Sequence, residues 1–156
     1  MSLLAIHVIL SLIGIVFGLI VLGGLLSGQA LGGFTALFLA ITILTSITGF
    51  PLPPFGFDPP RAVGILSLIL LAIAVGAYYL FHLAGAWRRV YVVTAMAALY
   101  FNCFVLVFQG FLKVQALHDL APTQSEPPFL VAQGAVLILF VVLGFLAVRK
   151  FHPKSA

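Results

Sequence analysis

The first charged side chain in this sequence is Asp58, so positions 1 to 57 contain no lysine, arginine, aspartate or glutamate. Within that stretch, Leu3 to Leu26 is almost continuously apolar and exceeds the ~20 residues that a helix needs to cross a bilayer. Soluble domains carry roughly a quarter charged residues, whereas this chain has 6% and a mean hydropathy of +1.31. Lipid is therefore the expected solvent for most of the chain.

Five apolar stretches are long enough to be spanning helices, at about residues 3–26, 30–50, 63–83, 90–112 and 128–148. A proline-rich loop, residues 51–60, separates the second from the third, and residues 113–126 form the longest loop. No positive charge precedes the first stretch and it is too long for a secretory signal, so we expect it to be retained. We predict one all-α membrane domain over residues 1–156, a polytopic bundle of five transmembrane helices.

Two of these helices open with the same pattern, an acidic residue followed by two prolines: Asp58-Pro59-Pro60 and Glu126-Pro127-Pro128. Proline is tolerated in the first turn of a helix, and a carboxylate there suits the positive end of the helix dipole. Asp58 and Glu126 are therefore expected to lie at helix starts, with Glu126 as a cap.

The lysines and arginines of the short loops predict the orientation. Five lie on one side of the predicted membrane and two, Arg61 and Lys113, on the other; the five are Arg88, Arg89, Arg149, Lys150 and Lys154. Cytoplasmic loops carry the excess of positive charge, which predicts an outside N-terminus and a cytoplasmic C-terminus. An interfacial aromatic belt is expected at the cytoplasmic end of the third and fourth helices, formed by Tyr78, Tyr79, Trp87 and Tyr91.

Several function classes are disfavoured by residue counts. Seven scattered basic residues form no stripe that could follow a phosphate backbone, so no nucleic-acid partner is expected. A single cysteine, Cys103, excludes an intrachain disulfide and a cysteine metal cluster. The topology places His7 and His118 outside and His82 and His152 inside, without a metal-ligand spacing. We therefore expect no metal and no cofactor.

Polar side chains cluster in the outer half of the predicted bundle. Asn102 lies ~18 Å from Val90 along the fourth helix, and Asn102, Gln109 and Lys113 follow one another at seven and four residues, which places them on one face. Similar positions in the other helices hold His7, Thr42, Thr45, Ser67 and Gln133. Carboxamides facing lipid would be unpaired, so these groups must face other helices or a cavity.

Two interpretations of this layer remain open. One is hydrogen bonding between helices, and the other is an outward-open pocket for a small molecule or a lipid headgroup. The candidate ligand-binding residues are His7, Thr45, Asn102, Gln109, Lys113 and Gln133.

The loop after the fourth helix holds the side chains best suited to acid–base chemistry, namely His118, Asp119 and Glu126. A structural interpretation competes with a catalytic one: Lys113 snorkels at a helix end, Glu126 caps a helix, and His118 and Asp119 form a solvated pair. Gly14 and Gly18 form a G-x-x-x-G pattern, and Gly24 with Gly28 and Ala72 with Gly76 repeat its spacing, which predicts close helix packing. The sequence has no P-loop, dinucleotide fingerprint or G-x-S-x-G motif.

Four segments resemble those of a known family. They are Thr48-Gly49-Phe50, Trp87-Arg88-Arg89, Leu99-Tyr100-Phe101-Asn102 and above all the loop Leu120 to Phe129, which contains the sequence A-P-T-Q-S-E-P-P-F. Over about its last two thirds, the chain resembles a family of small bacterial integral membrane proteins to which no activity is assigned. The resemblance implies a bacterial inner (cytoplasmic) membrane.

The function that these patterns favour is non-enzymatic: binding of a partner protein, a lipid or a small hydrophobic ligand at the outer face. The expected partners are membrane lipid and a partner membrane protein or a second copy of the chain. The alternative is a small membrane-embedded enzyme that uses His118, Asp119 and Glu126. An ion or solute carrier is less favoured, because no acidic or basic residue is predicted at the bilayer centre.

Overall fold

The computed structural model describes residues 1–52, 56 and 58–153. It is 81% helix, and the described residues contain no strand, which confirms the all-α class. The helices are α1 (Leu3–Leu26), α2 (Gly32–Gly49), α3 (Pro59–Val75), α4 (Trp87–Lys113), α5 (Gln115–Leu120) and α6 (Pro127–Lys150), and a π-helical segment, Gly76–Leu80, continues α3. The predicted proline-rich loop includes residues 53–55 and 57, which lie outside the described residues.

Five helices of the described chain are long and apolar enough to cross a membrane: α1, α2, α3 with its π-helical continuation, α4 and α6. They coincide with the five predicted stretches. The largest shift is in α3, which begins at Pro59 rather than near residue 63. Proline lacks an N–H that the first helical turn would leave without a partner anyway, so the Pro59-Pro60 pair begins the helix instead of delaying it.

The two acidic helix starts behave differently. Asp58 caps α3 as predicted, since its Oδ1 accepts a hydrogen bond from the Arg61 backbone N–H at 3.0 Å. Glu126 precedes α6 but makes no side-chain hydrogen bond to that helix. Its carboxylate instead accepts from the Thr123 hydroxyl at 2.6 Å and from the Thr123 and Ser125 N–H groups at 3.2 Å. Glu126 thus occupies the N-cap position as predicted, but its side chain does not cap the helix, because the preceding turn supplies nearer donors.

One end of the bundle, which we call the Arg88 end, contains the start of α4 and the end of α6. Arg88 Nη1 donates to the carbonyl oxygens of Val148 at 2.8 Å and Phe151 at 2.7 Å. The last carbonyls of a helix have no intrahelical partner. Arg88 therefore ties the end of α6 to the start of α4.

The opposite end, which we call the Arg61 end, contains the end of α2 and the starts of α1 and α3. Arg61 donates to the backbone carbonyl oxygens of Phe50 and Leu52, which follow α2. His7 Nδ1 lies 3.1 Å from Thr48 Oγ1 and so links α1 to α2 at the same end. These contacts fix the depth of the first three helices relative to one another.

The main hydrophobic core lies toward the Arg88 end, where α1, α2 and α4 meet. Gly18 allows this approach: a Cβ added there would lie 2.5 Å from Leu99 Cδ1 and 2.8 Å from Phe38 Cε1. One at Gly14 would lie 3.3 Å from Thr42 Oγ1. Close packing is thus confirmed for Gly14 and Gly18, whereas no described atom lies within 4 Å of a Cβ added at Gly76.

The predicted aromatic belt is wrong for two of its four members. Tyr78 and Tyr91 are buried, with ring centroids 5.1 Å apart, and they belong to the core. Tyr79 and Trp87 are exposed, as an interfacial residue should be. The sequence did not indicate which side chains face the neighbouring helix. Tyr78, in the segment that continues α3, packs against Tyr91 of α4.

The predicted long loop after α4 contains a short helix, α5. Leu117 of α5 packs with Phe111 of α4 and Phe129 of α6 in a small apolar cluster at the Arg61 end. Asp119 Oδ1 accepts a hydrogen bond from Gln115 Nε2 at 2.7 Å, one turn earlier. The segment is therefore an ordered cap on α4 and α6 rather than an irregular loop.

Candidate functional site: a cavity at the Arg61 end

A cavity of about 540 Å³ lies at the Arg61 end, with residues of α1, α2, α3 and α4 in its wall. Most of the wall is apolar. Its uncharged polar members come from all four helices and are His7, Ser11, Thr45, Ser46, Ser67, Asn102 and Gln109. The layer of polar groups proposed from the sequence thus surrounds a real space between helices.

Helix α4 contributes three candidate residues that lie at different distances from the end of the bundle. Asn102, Gln109 and Lys113 all line the cavity, as expected from residues on one helical face. At a rise of 1.5 Å per residue, Asn102 and Lys113 are separated by about 16 Å along the helix axis. The cavity therefore extends from the helix end well into the bundle.

Two carboxamide atoms in this wall lack hydrogen-bond partners. Asn102 Nδ2 and Gln109 Oε1 are buried, and neither bonds to any described residue. A buried amide without a partner costs roughly 1–3 kcal/mol on the scale of protein mutations. Both groups could be satisfied by polar atoms of a bound molecule or by ordered water.

Two threonines of α2 are satisfied differently from Asn102 and Gln109. Thr45 Oγ1 donates to the Ile41 carbonyl at 2.9 Å and Thr48 Oγ1 to the Leu44 carbonyl at 2.8 Å, each one turn back in the same helix. Hydroxyl groups reach the i−4 carbonyl easily, whereas carboxamides do not. Thr48 also contacts His7 of α1, whereas Thr42 Oγ1 is buried and has no partner among the described residues.

Gln133 is the one candidate that the described cavity wall does not include. Its Nε2 donates to the Phe104 backbone carbonyl of α4 at 3.1 Å, which joins α6 to α4. The structure thus brings together His7, Thr45, Asn102, Gln109 and Lys113 and separates Gln133 from them. Helical depth alone predicted Gln133, but depth does not determine which neighbour a side chain faces.

Three charged residues line the cavity. Asp58 and Arg61 form an ion pair, with Oδ2 and Nη1 3.0 Å apart. Lys113 is exposed and forms no ion pair with any described residue. The wall therefore carries one positive charge in excess.

Sequence reasoning missed several lining residues. Ser11 lies one turn after His7 on α1, so the i, i+4 spacing of these two polar residues was a usable signal. Leu4, Val8 and Leu12 also line the cavity but carried no signal, because apolar residues occur on every face of α1.

The acid–base candidates lie elsewhere. His118, Asp119 and Glu126 are absent from the described cavity wall, and no hydrogen bond or ion pair joins any two of them. Hydrogen bonds from the Thr123 hydroxyl and from nearby backbone N–H groups hold the pKa of Glu126 below its usual value. A general acid at neutral pH needs the opposite shift. No hydrogen bond or ion pair among the described residues thus supports an acid–base site in this loop.

The described residues contain no group of three or more histidine, cysteine, aspartate or glutamate side chains placed to hold a metal ion. No protein-family model, curated protein or solved structure matches the chain.

Proposed function

We propose that this chain is a non-enzymatic integral membrane protein that binds a lipid or a small hydrophobic ligand in the cavity at the Arg61 end. One observation carries the proposal: two half-buried carboxamides, Asn102 and Gln109, lie in the wall of a cavity of about 540 Å³, and a buried atom of each, Nδ2 and Oε1, has no described partner. Pockets that enclose small molecules typically have volumes of ~300–1,000 Å³ and mostly apolar walls with a few polar groups.

Packing alone explains this arrangement poorly. A bundle selected only for stability would replace Asn102 and Gln109 by apolar residues, since an interhelical hydrogen bond in a membrane contributes only ~0.6 kcal/mol on average. Here neither carboxamide even forms such a bond to a described residue. Polar groups that do not stabilise the empty bundle are well suited to orient a ligand.

The test is native mass spectrometry of the protein extracted from its own membrane. The wild type is expected to carry a bound species that Asn102→Leu/Gln109→Leu abolishes. Gln133→Leu is the matched control, because Gln133 is a carboxamide outside the described cavity wall, so this variant should keep the species. A wild type without any bound species, or a double variant that carries the same one, would refute the proposal.

The runner-up, an enzyme based on His118, Asp119 and Glu126, receives no support from an observed contact among these residues. Binding of a partner membrane protein or a second copy is the other non-enzymatic alternative. Helix α6 offers surface for it, with exposed Val131, Ile138 and Val141, although lipid would cover the same surface equally well. A protein that co-purifies stoichiometrically, with the cavity empty, would favour this alternative.

We further propose that the protein lies in a bacterial inner membrane with the Arg61 end outside and the C-terminus in the cytoplasm. The excess of lysine and arginine at the Arg88 end supports this orientation. A reporter active only in the cytoplasm should work when fused after Ala156 and fail when inserted near Gln124. Activity near Gln124 would reverse or exclude the orientation.

A further inference from the structure

We propose that the cavity takes one acyl chain of an anionic membrane lipid, which enters sideways between α1 and α4 and places its head group at Lys113 and Gln109. This inference rests on the proposed ligand-binding function and specifies the ligand class and its route.

The route follows from how α1 and α4 separate. Near the Arg88 end they are in close contact, since a Cβ at Gly18 would lie 2.5 Å from Leu99 Cδ1. One turn further along α1, a Cβ at Gly14 would lie 3.6 Å from Asn102 Nδ2. Toward the Arg61 end, residues of both helices line the cavity together with residues of α2 and α3. The contact between α1 and α4 is therefore tightest at Gly18 and looser toward the cavity, where we place the gap that a chain would enter.

The edges of this gap are apolar and exposed. Leu4, Val8 and Leu12 recur every fourth residue of α1, line the cavity, and are 47%, 43% and 47% exposed. On α4, Leu106 and Leu112 also line it and are 44% and 42% exposed. Side chains that belong both to a cavity wall and to the apolar surface of a spanning helix indicate an opening toward lipid.

The depth of the cavity matches one leaflet. The ~16 Å from Lys113 to Asn102 is about half of the ~30 Å hydrocarbon thickness of a bilayer. A lipid chain that enters from the same leaflet would extend from the head-group level at Lys113 toward the midplane, where ordered water rather than the chain would accept the hydrogen bond of Asn102 Nδ2.

Charge specifies the head group. The Asp58 carboxylate is already paired with Arg61, whereas Lys113 has no ion pair among the described residues. Gln109 lies one turn below Lys113, about 6 Å along the axis, and its buried Oε1, which has no described partner, can accept a hydrogen bond from a head-group hydroxyl such as those of phosphatidylglycerol. A zwitterionic head group would bring its own cation beside Lys113, so an anionic one is favoured.

The experiment uses delipidated full-length protein and two lipids with identical chains, phosphatidylglycerol and phosphatidylcholine, titrated by native mass spectrometry. One lysine near a phosphate is worth about 1 kcal/mol, so the wild type should prefer the anionic lipid about fivefold. Lys113→Gln should remove that preference. Lys150→Gln removes the same charge at the Arg88 end and should leave the preference unchanged.

A separate variant tests the proposed sideways entry between α1 and α4. Val8→Trp fills the gap between α1 and α4 and should weaken binding of both lipids without changing their ratio. Unchanged binding of both would overturn the sideways route.

Equal affinity of the wild type for the two lipids, or a preference that survives in Lys113→Gln, would overturn the head-group assignment. Failure of both lipids to bind would overturn the inference as a whole. The proposed function fails separately, only if protein from its own membrane carries no species that depends on Asn102 and Gln109.

Discussion

The two ends of this bundle are built from the same helices but are filled differently. At the Arg88 end, Phe38, Tyr91 and Leu99 are at most 1% exposed, and Arg88 binds the last carbonyls of α6. At the Arg61 end, the same helices surround a cavity, and buried atoms of Asn102 and Gln109 have no partner among the described residues. One end is therefore closely packed, and the other contains the space in which we propose that a ligand binds.

Both ends belong to the same apolar helices, so the overall hydrophobicity of the helices does not explain why only one end contains the cavity. A poorly packing sequence would leave defects throughout. Here the cavity with polar side chains from four helices in its wall lies at one end, which is the arrangement expected of a site held by a rigid scaffold.

The largest contrast is expected between two leucines of α4. Leu99→Ala should destabilise the protein by about 2 kcal/mol or more, because it leaves a void in a fully packed contact with α1 and α2. Leu106→Ala, two turns away at the cavity edge, should cost far less. Reversible unfolding in detergent measures both, and similar losses would show that the two ends are packed alike.

A smaller effect is expected at the close approach of α1. Gly18→Ala should destabilise by roughly 1–3 kcal/mol, because the methyl group would overlap Leu99 and Phe38. Gly23→Ala is the control, since no described atom lies within 4 Å of a Cβ added there. Thermal melting should separate the two variants. Equal melting temperatures would mean that α1 does not determine the packed end.

Arg88→Gln should lower stability by about 1.5–3 kcal/mol, the range for hydrogen bonds to a charged group. It removes the guanidinium that donates to Val148 and Phe151. Arg89→Gln removes the same charge from the neighbouring exposed residue and should have little effect. If the two variants unfold alike, Arg88 acts only through its charge.

The smallest effect concerns the Arg61 end outside the cavity. The low pKa of Glu126 depends first on the Thr123 hydroxyl, so Thr123→Val should raise this pKa. A lowered native pKa contributes stability above the usual pKa that is lost as the pH falls through the native one; in the variant, this contribution should be smaller and its loss should be complete at a higher pH. Carboxyl-carbon NMR titration tests this. Gln124→Asn should leave the pKa unchanged, and a shift there would contradict the assignment.

The sequence predicted the helices well because their signal is local. The apolar length of α1 and the Asp58-Pro59-Pro60 start of α3 each depend on a few adjacent residues. The site was predicted in part. Spacing alone placed Asn102, Gln109 and Lys113 on one face of α4, and in the structure all three line the cavity.

Features that depend on which helix lies opposite could not be predicted. Burial of Tyr78 and Tyr91 and the bond from Gln133 to Phe104 require knowledge of helix rotation. Because apolar residues occur on every face of these helices, the sequence does not show how each helix is rotated about its axis. The apolar edge formed by Leu4, Val8 and Leu12 was invisible for the same reason.

The central claim, that the Arg61 end is hollow because it binds a ligand, is tested most directly by melting delipidated protein before and after its extracted membrane lipids are added back. A ligand that binds the folded state raises the melting temperature. The wild type and Gln133→Leu should both gain stability, whereas Asn102→Leu/Gln109→Leu should start at least as stable as the delipidated wild type and gain nothing. An equal gain in all three proteins, or no gain in the wild type, would contradict the account.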